Sequence, residues 1–404
     1  MINTSILPYI DVTSKPSLVL DFANSKRLDP RITFTRSSGG TCVGPNGLIT
    51  LVSADQPRFD HDPTTGVCNG LLIEESRTNL QLQSGNIDNT ISPWNSNTAF
   101  NTTKIGPTTA PDGTNTAIIY AGNGAGNNEF VCQSNNLSSN TTYTASIWAR
   151  IVSGTLPTSG QIISAEYNNG VATTRANVSY SNNLTTSWKR FSVTFTNVNA
   201  LNGAFLFFIA DQNNTAQIAV WGAQLEVGSF PTSYIPTTSA TVTRSQDNAS
   251  IVGPNFSSWY NPNEWTLFAD MSTPSANLIA AASQAQYVSI DDGTMNNTYA
   301  IRCVTDPSTP YIDGYAQFNN NPIADYTGSD GSSFPSRVKA AFVAKNSDSA
   351  FCYNGNTVET DTAFTLASTV DRMRIGVNPK AGTIAKILYY PSRLSNTQIK
   401  QLTT

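Results

Sequence analysis

WGAQLEVGSFPTSYIPTTSATVTRSQD, residues Trp221 to Asp247, holds a strand end, a connector and the start of a new block of strands. By the two-residue period of extended chain, Val220 and Gly222 share one face of the strand, and Trp221 and Ala223 the other. The connector is punctuated by Gly228, Pro231 and Pro236, none of which suits a sheet interior. Its end, ATVTRS from Ala240 to Ser245, has a partner far upstream in ITFTRS, Ile32 to Ser37. The same short phrase stands ahead of two different blocks of strands, which marks it as a joint between modules.

Before the joint, residues 84–228 read as a β-sandwich: short strands, frequent turn residues, no helix-length amphipathic run. Tyr143, Ala145, Ile147, Ala149 and Ile151 form one apolar face at period two. Phe191, Val193 and Phe195 form another, with Arg190, Ser192 and Thr194 turned outward. AFLFFI, Ala204 to Ile209, is apolar on both sides and reads as a central buried strand. After the joint, residues 250–404 read as a second sandwich. Trp265, Leu267, Ala269 and Met271 alternate with polar or larger neighbours, as do Val338, Ala340, Phe342 and Ala344. Asn354-Gly355 is a strong hairpin signal. Ser395, followed three residues later by Gln398, forms a capping box, so a short helix follows with Ile399 and Leu402 facing the sandwich. Residues 1–83 are short-stranded and irregular, which predicts a separate N-terminal docking region. Residues 229–249 are expected to be a linker. The fold class expected is thus all-β: two tandem antiparallel sandwiches behind an irregular start.

Composition agrees. Charged residues are 12% and aromatics 10%, the reverse of a disorder signature. Net charge is −4 with no basic run, which argues against a nucleic-acid partner. The start, MINTSILPYIDVTSK, lacks a charged n-region and a long apolar core, and no run approaches a membrane span, so no membrane insertion is expected. Five cysteines cannot all pair, and they show no metal-ligand spacing. Free, partly buried thiols are expected, with a Cys42–Cys68 disulfide as the alternative.

Candidate chemistry is sparse. His61, in RFDHDPTTG, lies among turn residues and reads as an exposed loop. Glu74 and Glu75 are consecutive on a strand and so face opposite sides, which excludes an acid/base pair. One of them is expected to anchor Arg36 or Arg77. Glu166, Glu226, Glu264 and Glu359 are scattered singly, not paired as glycan hydrolysis requires. No metal site and no cofactor are assigned. Ca2+ is the one ion to consider, at Asp291-Asp292 or Asp112, but neither stretch shows enough oxygen donors in series. Trp148 breaks its local pattern, since it lies on the polar face with Thr144, Ser146 and Arg150. A flat aromatic beside a guanidinium suits a pyranose ring, so Trp148 and Arg150 are the glycan-binding candidates. The rival reading is that Trp148 packs under a loop.

The wording of the joint, with LDFANSKRLDPRITFTRSS and PRFDHDPTTGVCNGLLIEESRTNL, resembles bacteriophage virion proteins that carry lectin-like jelly-roll modules. The run from Trp94 to VWGAQLE resembles a carbohydrate-binding-module jelly roll. The end, MRIGVNPKAGTIAKILYYPSRLSNTQIKQL, resembles the close of laminin-G and concanavalin-like domains. This resemblance implies a non-enzymatic virion structural protein, assembled in the host cytoplasm. It would be a surface-exposed tail fibre or similar appendage that binds host-surface glycans. A capsid decoration or cement protein is the alternative, and a glycan depolymerase is the less favoured one. The partners implied are other virion proteins and a host glycan, with a homotrimer as the expected assembly. The apolar MINTSILPYI is the segment expected to dock on the particle.

Overall fold

A computed structural model describes residues 14–96, 103–121, 129–155, 161–168, 171–179, 184–197, 201–210, 216–272, 283–305, 311–328, 337–366, 369–377 and 382–404. The chain divides into two compact units. One comprises Met1–Gly47, Val52–Glu75 and Ser245–Thr404, and the other comprises Leu48–Leu51 and Ser76–Arg244. The second is therefore inserted in the sequence of the first.

The discontinuous unit is a β-sandwich. Its eight-stranded sheet runs Glu359–Asp361, Ser349–Tyr353, Arg337–Lys345, Glu264–Ser272, Gly382–Tyr390, Cys68–Ile73, Arg58–His61. Leu18–Asp21 also pairs with Gly382–Tyr390, against residues 386–389, while Cys68–Ile73 takes residues 382–384 of the same edge. The seven-stranded sheet runs Thr33–Thr35, Asn248–Val252, Arg372–Val377, Ser283–Asp291, Thr298–Thr305, Tyr311–Phe318, Asn321–Gly328. Between the sheets, the alternating residues Trp265, Leu267, Ala269, Met271, Val338, Ala340, Phe342 and Ala344 are all sealed from solvent. Trp265 meets Tyr299 of the facing sheet edge-on, with centroids 5.0 Å apart. The sheets approach so closely that a Cβ on Gly314 would lie 2.5 Å from the Phe351 ring. The helix Asn396–Thr403 covers the other side of the eight-stranded sheet. Ser395 Oγ accepts from Gln398 N and Gln398 Oε1 accepts from Ser395 N, and Ile399 and Leu402 are buried as the capping box predicts. Asn354 and Gly355 form the expected turn, both with positive φ. The strand that follows pairs only from Glu359 onward.

The inserted unit is a second sandwich, with two five-stranded sheets. One runs Lys189–Asn197, Thr141–Ser153, Gln217–Val227, Ala117–Ala121, Thr103–Thr108. The other runs Val171–Ser179, Gln161–Asn168, Leu201–Ala210, Glu129–Leu137, Asn95–Ser96, so AFLFFI lies in the central strand. The burial of its side chains lies outside the described residues. Tyr143, Ala145, Ile147, Ala149 and Ile151 share one core with Phe191, Val193 and Phe195, as the period-two pattern predicts.

Three expectations are corrected. Residues 14–83 do not form a separate N-terminal region. Leu18 and Leu20 are 1% exposed in the larger sheet, and Leu71, Leu72 and Ile73 are buried beside them. Residues 229–249 are not a free linker either. Phe230, Tyr234 and Ile235 are buried, and their backbone is held by side chains of the sheet they cross. Thirdly, Trp221 and Ala223 lie on opposite faces. Gly222, at φ 69°, makes a bulge that reverses the alternation and sends Ala223 into the core with Val220 and Leu225. The segment Met1–Thr13, which contains the whole of the expected docking sequence MINTSILPYI, lies outside the described residues. Cys42, Cys68, Cys303 and Cys352 are free and buried. Burial pushes the Cys42 thiol up to about 11. The side chain of Cys132 lies outside the described residues.

Candidate functional site

On the outward face of the sheet containing Thr141–Ser153, an aromatic cluster gathers where the core alternation leaves large side chains pointing away. Trp148, Trp221 and Tyr234 meet there. Trp148 lies edge-on to both partners, at 5.6 Å and 5.7 Å between centroids. One side of its ring faces Gly222, where a Cβ would come within 2.8 Å of the indole. On another, the Arg190 guanidinium stands 4.3 Å from its centroid. That guanidinium is itself fixed, with Nη1 donating to Thr232 O at 2.6 Å and Nη2 to Ser146 Oγ at 2.8 Å. Trp148 is thus a packed, half-buried ring.

The connector explains the covering. Glu226 accepts from Thr232 N and Thr232 Oγ1, and Gln224 Oε1 accepts from Ile235 N. Thr144 and Thr194 donate to the carbonyls of Gly228 and Ser229. Polar residues that read as solvent-facing therefore satisfy the backbone of a crossing segment, as buried polar groups must.

Arg150 leads to the part of this face that remains open. Its Nη2 donates to Thr108 Oγ1 at 3.1 Å, and its guanidinium carbon lies 5.2 Å from the Trp188 ring centroid. Arg150 Nε is buried without a hydrogen-bond partner. The Trp188 indole is held by Nε1 donating to Thr109 O at 3.2 Å. Trp188 is half-buried and Thr109 exposed. A pinned aromatic, a guanidinium and two threonines form a shelf able to stack on sugar C–H groups and bind hydroxyls. The two predicted residues thus fall on one face but in different roles: Arg150 on the shelf, Trp148 beneath the connector. Trp188 is missing from the sequence reading. Its signal is an aromatic just ahead of the strand Lys189–Asn197, and it stands outside any period.

The other candidates resolve into structure. His61 is buried, not in an exposed loop, because Arg58–His61 pairs with Cys68–Ile73 and the turn residues lie beyond it. Its Nδ1 is 3.0 Å from Val43 O. Burial raises the pKa of the neighbouring Asp60. Glu74 does anchor an arginine, but through Arg58, at 2.7 Å. Asp247 joins that group, pairing with Arg58 at 2.5 Å and with Arg36 at 3.0 Å. Asp291 binds Arg374 at 2.8 Å, while Asp292 and Asp112 accept from Thr294 and Thr114 in local turns. Among the described residues no group of three or more His, Cys, Asp or Glu could hold a metal ion. Glu226 is sealed under the connector and Glu264 faces Lys345 at 3.7 Å. The side chain of Glu166 lies outside the described residues.

Residues 79–215 match the family model described as "Carbohydrate binding domain". That span holds Arg150, Trp148 and Trp188 and ends before Trp221 and Tyr234. No curated protein matches the chain. Among solved structures, the chain is similar to the CBM40 of a Ruminococcus gnavus IT-sialidase bound to alpha2,3 sialyllactose. The identity is 15%, covering 37% of this chain and 87% of that one, with a TM-score of 0.29. A Trypanosoma rangeli sialidase in complex with 2,3-difluorosialic acid matches at 12% identity, over 39% of this chain and 26% of that one, with a TM-score of 0.26. The tandem CBM22 domains of Paenibacillus barcinonensis Xyn10C match at 8% identity, over 79% of this chain and 97% of theirs, with a TM-score of 0.27.

Proposed function

We propose that the protein is a non-enzymatic glycan-binding component of a bacteriophage particle, a tail fibre or similar appendage. It recognises host-surface glycans through the inserted unit. The observation that carries the glycan half is the shelf of Trp188, Arg150, Thr108 and Thr109, which lies inside the segment matching a carbohydrate binding domain. Aromatic stacking supplies the apolar contact and the guanidinium supplies donors for hydroxyls. The virion half rests on the three sequence signatures at the joint and upstream of it. Homotrimeric assembly goes with that half.

Glycan-array binding of the purified full chain tests the first half. Trp188-dependent retention of host-envelope glycans, with no release of reducing sugar, is the expected result. Release of oligosaccharide would refute the non-enzymatic reading. Immunogold imaging of purified particles tests the second half. Label at the tail is expected, whereas label spread over the head would establish the decoration role instead.

A further inference from the structure

Arg150 is stretched across the open part of the inserted unit's face. It leaves the strand Thr141–Ser153, and its Nη2 ends on Thr108 Oγ1 at 3.1 Å. Gln217–Val227 and Ala117–Ala121 lie between those two strands in the sheet, so the side chain spans both. Trp188, just ahead of the strand at the opposite edge, reaches the same place, its Nε1 donating to Thr109 O at 3.2 Å. Both side chains are thus held at their far ends before any ligand arrives, which lowers the ordering cost of binding. The cross-strand row through Arg150 continues as Ala219, Ile119 and Gly106. Ile119 is half-buried, and a Cβ on Gly106 would meet nothing within 4 Å, so that end of the row is open.

The charge on Arg150 is unanswered. Its hydrogen bond is to a neutral hydroxyl, and it has no carboxylate partner among the described residues. Partly exposed arginines elsewhere are paired: Arg31, Arg337, Arg374 and Arg393 each hold an aspartate within 2.8 Å. The acids of the connector and of the turn after Thr109 are engaged otherwise. Glu226 accepts from Thr232 and Gln224, and Asp112 accepts from Thr114. Arg150 Nε is buried, while Nη1 is open and has no partner among the described residues. The edge presented is therefore Nη1 with the second hydrogen of Nη2. Such an edge offers two parallel N–H donors that match the two oxygens of a carboxylate. A neutral hydroxyl would leave the charge unmatched.

We propose that the shelf selects a sugar that bears a carboxylate. Arg150 takes the carboxylate on its Nη1–Nη2 edge, and Thr108 positions the guanidinium. The pyranose ring lies between Trp188 and the open end of the row at Gly106. This assignment rests on the glycan-binding reading above and gives the chemical class of glycan that the same site takes.

The test is an array of neutral, hexuronate-containing and sialic-acid-containing oligosaccharides, probed with the full chain. Retention should concentrate on an acidic class, and which class it is identifies the source of the carboxylate. The retained oligosaccharide and its carboxyl methyl ester are then titrated by calorimetry. The acid should bind about ten-fold or more tighter than the ester, the gain expected from a charge-assisted contact, and the gap should narrow as salt is raised. Arg150→Gln should close that gap, whereas a merely structural loss would weaken acid and ester alike. Arg150→Lys, which keeps the charge without the planar fork, should narrow it and carries the comparison if Arg150→Gln does not fold. Equal affinity of acid and ester, or an undiminished gap in the variants, overturns the proposal. If neutral glycans are retained through Trp188 and no acidic one is, this inference alone fails. If no saccharide is retained, the glycan-binding reading fails with it.

Discussion

Asp247→Ala should unfold the discontinuous unit at markedly lower temperature. The Asp247 carboxylate accepts from Arg36 Nη1 at 3.0 Å, Arg58 Nη2 at 2.5 Å and Glu74 N at 2.9 Å. Arg36, Arg58 and Asp247 side chains are 0% exposed, and Glu74 is 1% exposed. Two guanidinium groups share this one carboxylate, so deleting Asp247 leaves positive charge sealed in a low-dielectric interior. Breaking a buried pair by removing one partner costs about 3–5 kcal/mol, largely the penalty of the charge left behind. In a domain of this size about 4 kcal/mol corresponds to a fall of roughly 8–16 °C in Tm. Asp247→Asn keeps the shape and one acceptor, so it should fall between the variant and the wild type. Differential scanning calorimetry of the full chain reads the effect. The transition of the inserted unit, which has its own core, should stay in place. A loss below about 1 kcal/mol, the range of solvated surface pairs, would refute the assignment of a sealed network.

Trp148→Ala and Trp188→Ala should differ in what they damage. The first should lower the stability of the inserted unit by about 2–4 kcal/mol, because the ring is packed between Gly222 and Arg190 against two aromatics. The second should cost less stability, since that ring only edges the cluster of Ile49, Ala110 and Ala117, and weaken glycan binding about five- to ten-fold, as loss of a stacking aromatic does. Denaturant unfolding and glycan titration of both variants check the contrast. Ser395→Ala removes the helix cap and should cost about 1 kcal/mol, read by urea unfolding of the discontinuous unit. Deleting residues 1–21 should destabilise that unit by about 4 kcal/mol or more, since it removes the buried Leu18 and Leu20.

Much of the fold was legible because burial repeats at the period of extended chain. Tyr143 to Ile151, Trp265 to Met271 and Val338 to Ala344 declare their core faces one residue at a time. The helix at Ser395 was legible because its signal is local and complete in four residues. Pairing partners were not legible. Leu18, Leu20 and Leu71 to Ile73 are clearly apolar, yet nothing local says that their neighbour is Gly382–Tyr390. One bulge was enough to mislead the reading after Gly222, since a single extra residue exchanges the faces. His61 was misplaced for a related reason. The turn residues after it are a hairpin loop, but the histidine sits one step back, inside the ladder. At the site the sequence found the correct face and Arg150, because a tryptophan among threonine and serine stands out. It could not see that a proline-bearing connector returns across that face and covers Trp148, while Trp188 beside it stays half open.

The repeated TRS phrase has a different meaning from two joints in series. Its first copy stays in the discontinuous unit, where Thr33–Thr35 pairs with Asn248–Val252. Its second copy ends the inserted unit, where Val242–Arg244 pairs with Arg77–Asn79. The copies converge through their serines: Ser37 Oγ donates to Ser245 Oγ at 2.8 Å, and Ser245 N donates to Ser38 Oγ at 2.8 Å. The insertion thus leaves and returns along adjacent strands. Just outside it Asp247 N donates to Glu74 O at 3.0 Å, completing the foot of the ion network. Joining two ends across a long flexible loop carries an entropy cost that grows with the logarithm of its length. Here the loop is a sandwich with its own core, whose two ends are already held together by a ladder. Once the inserted unit has folded, Glu74 and Asp247 begin as near neighbours and most of that closure cost has been met. A buried ion cluster can therefore be assembled from segments as far apart in sequence as Arg36, Arg58, Glu74 and Asp247.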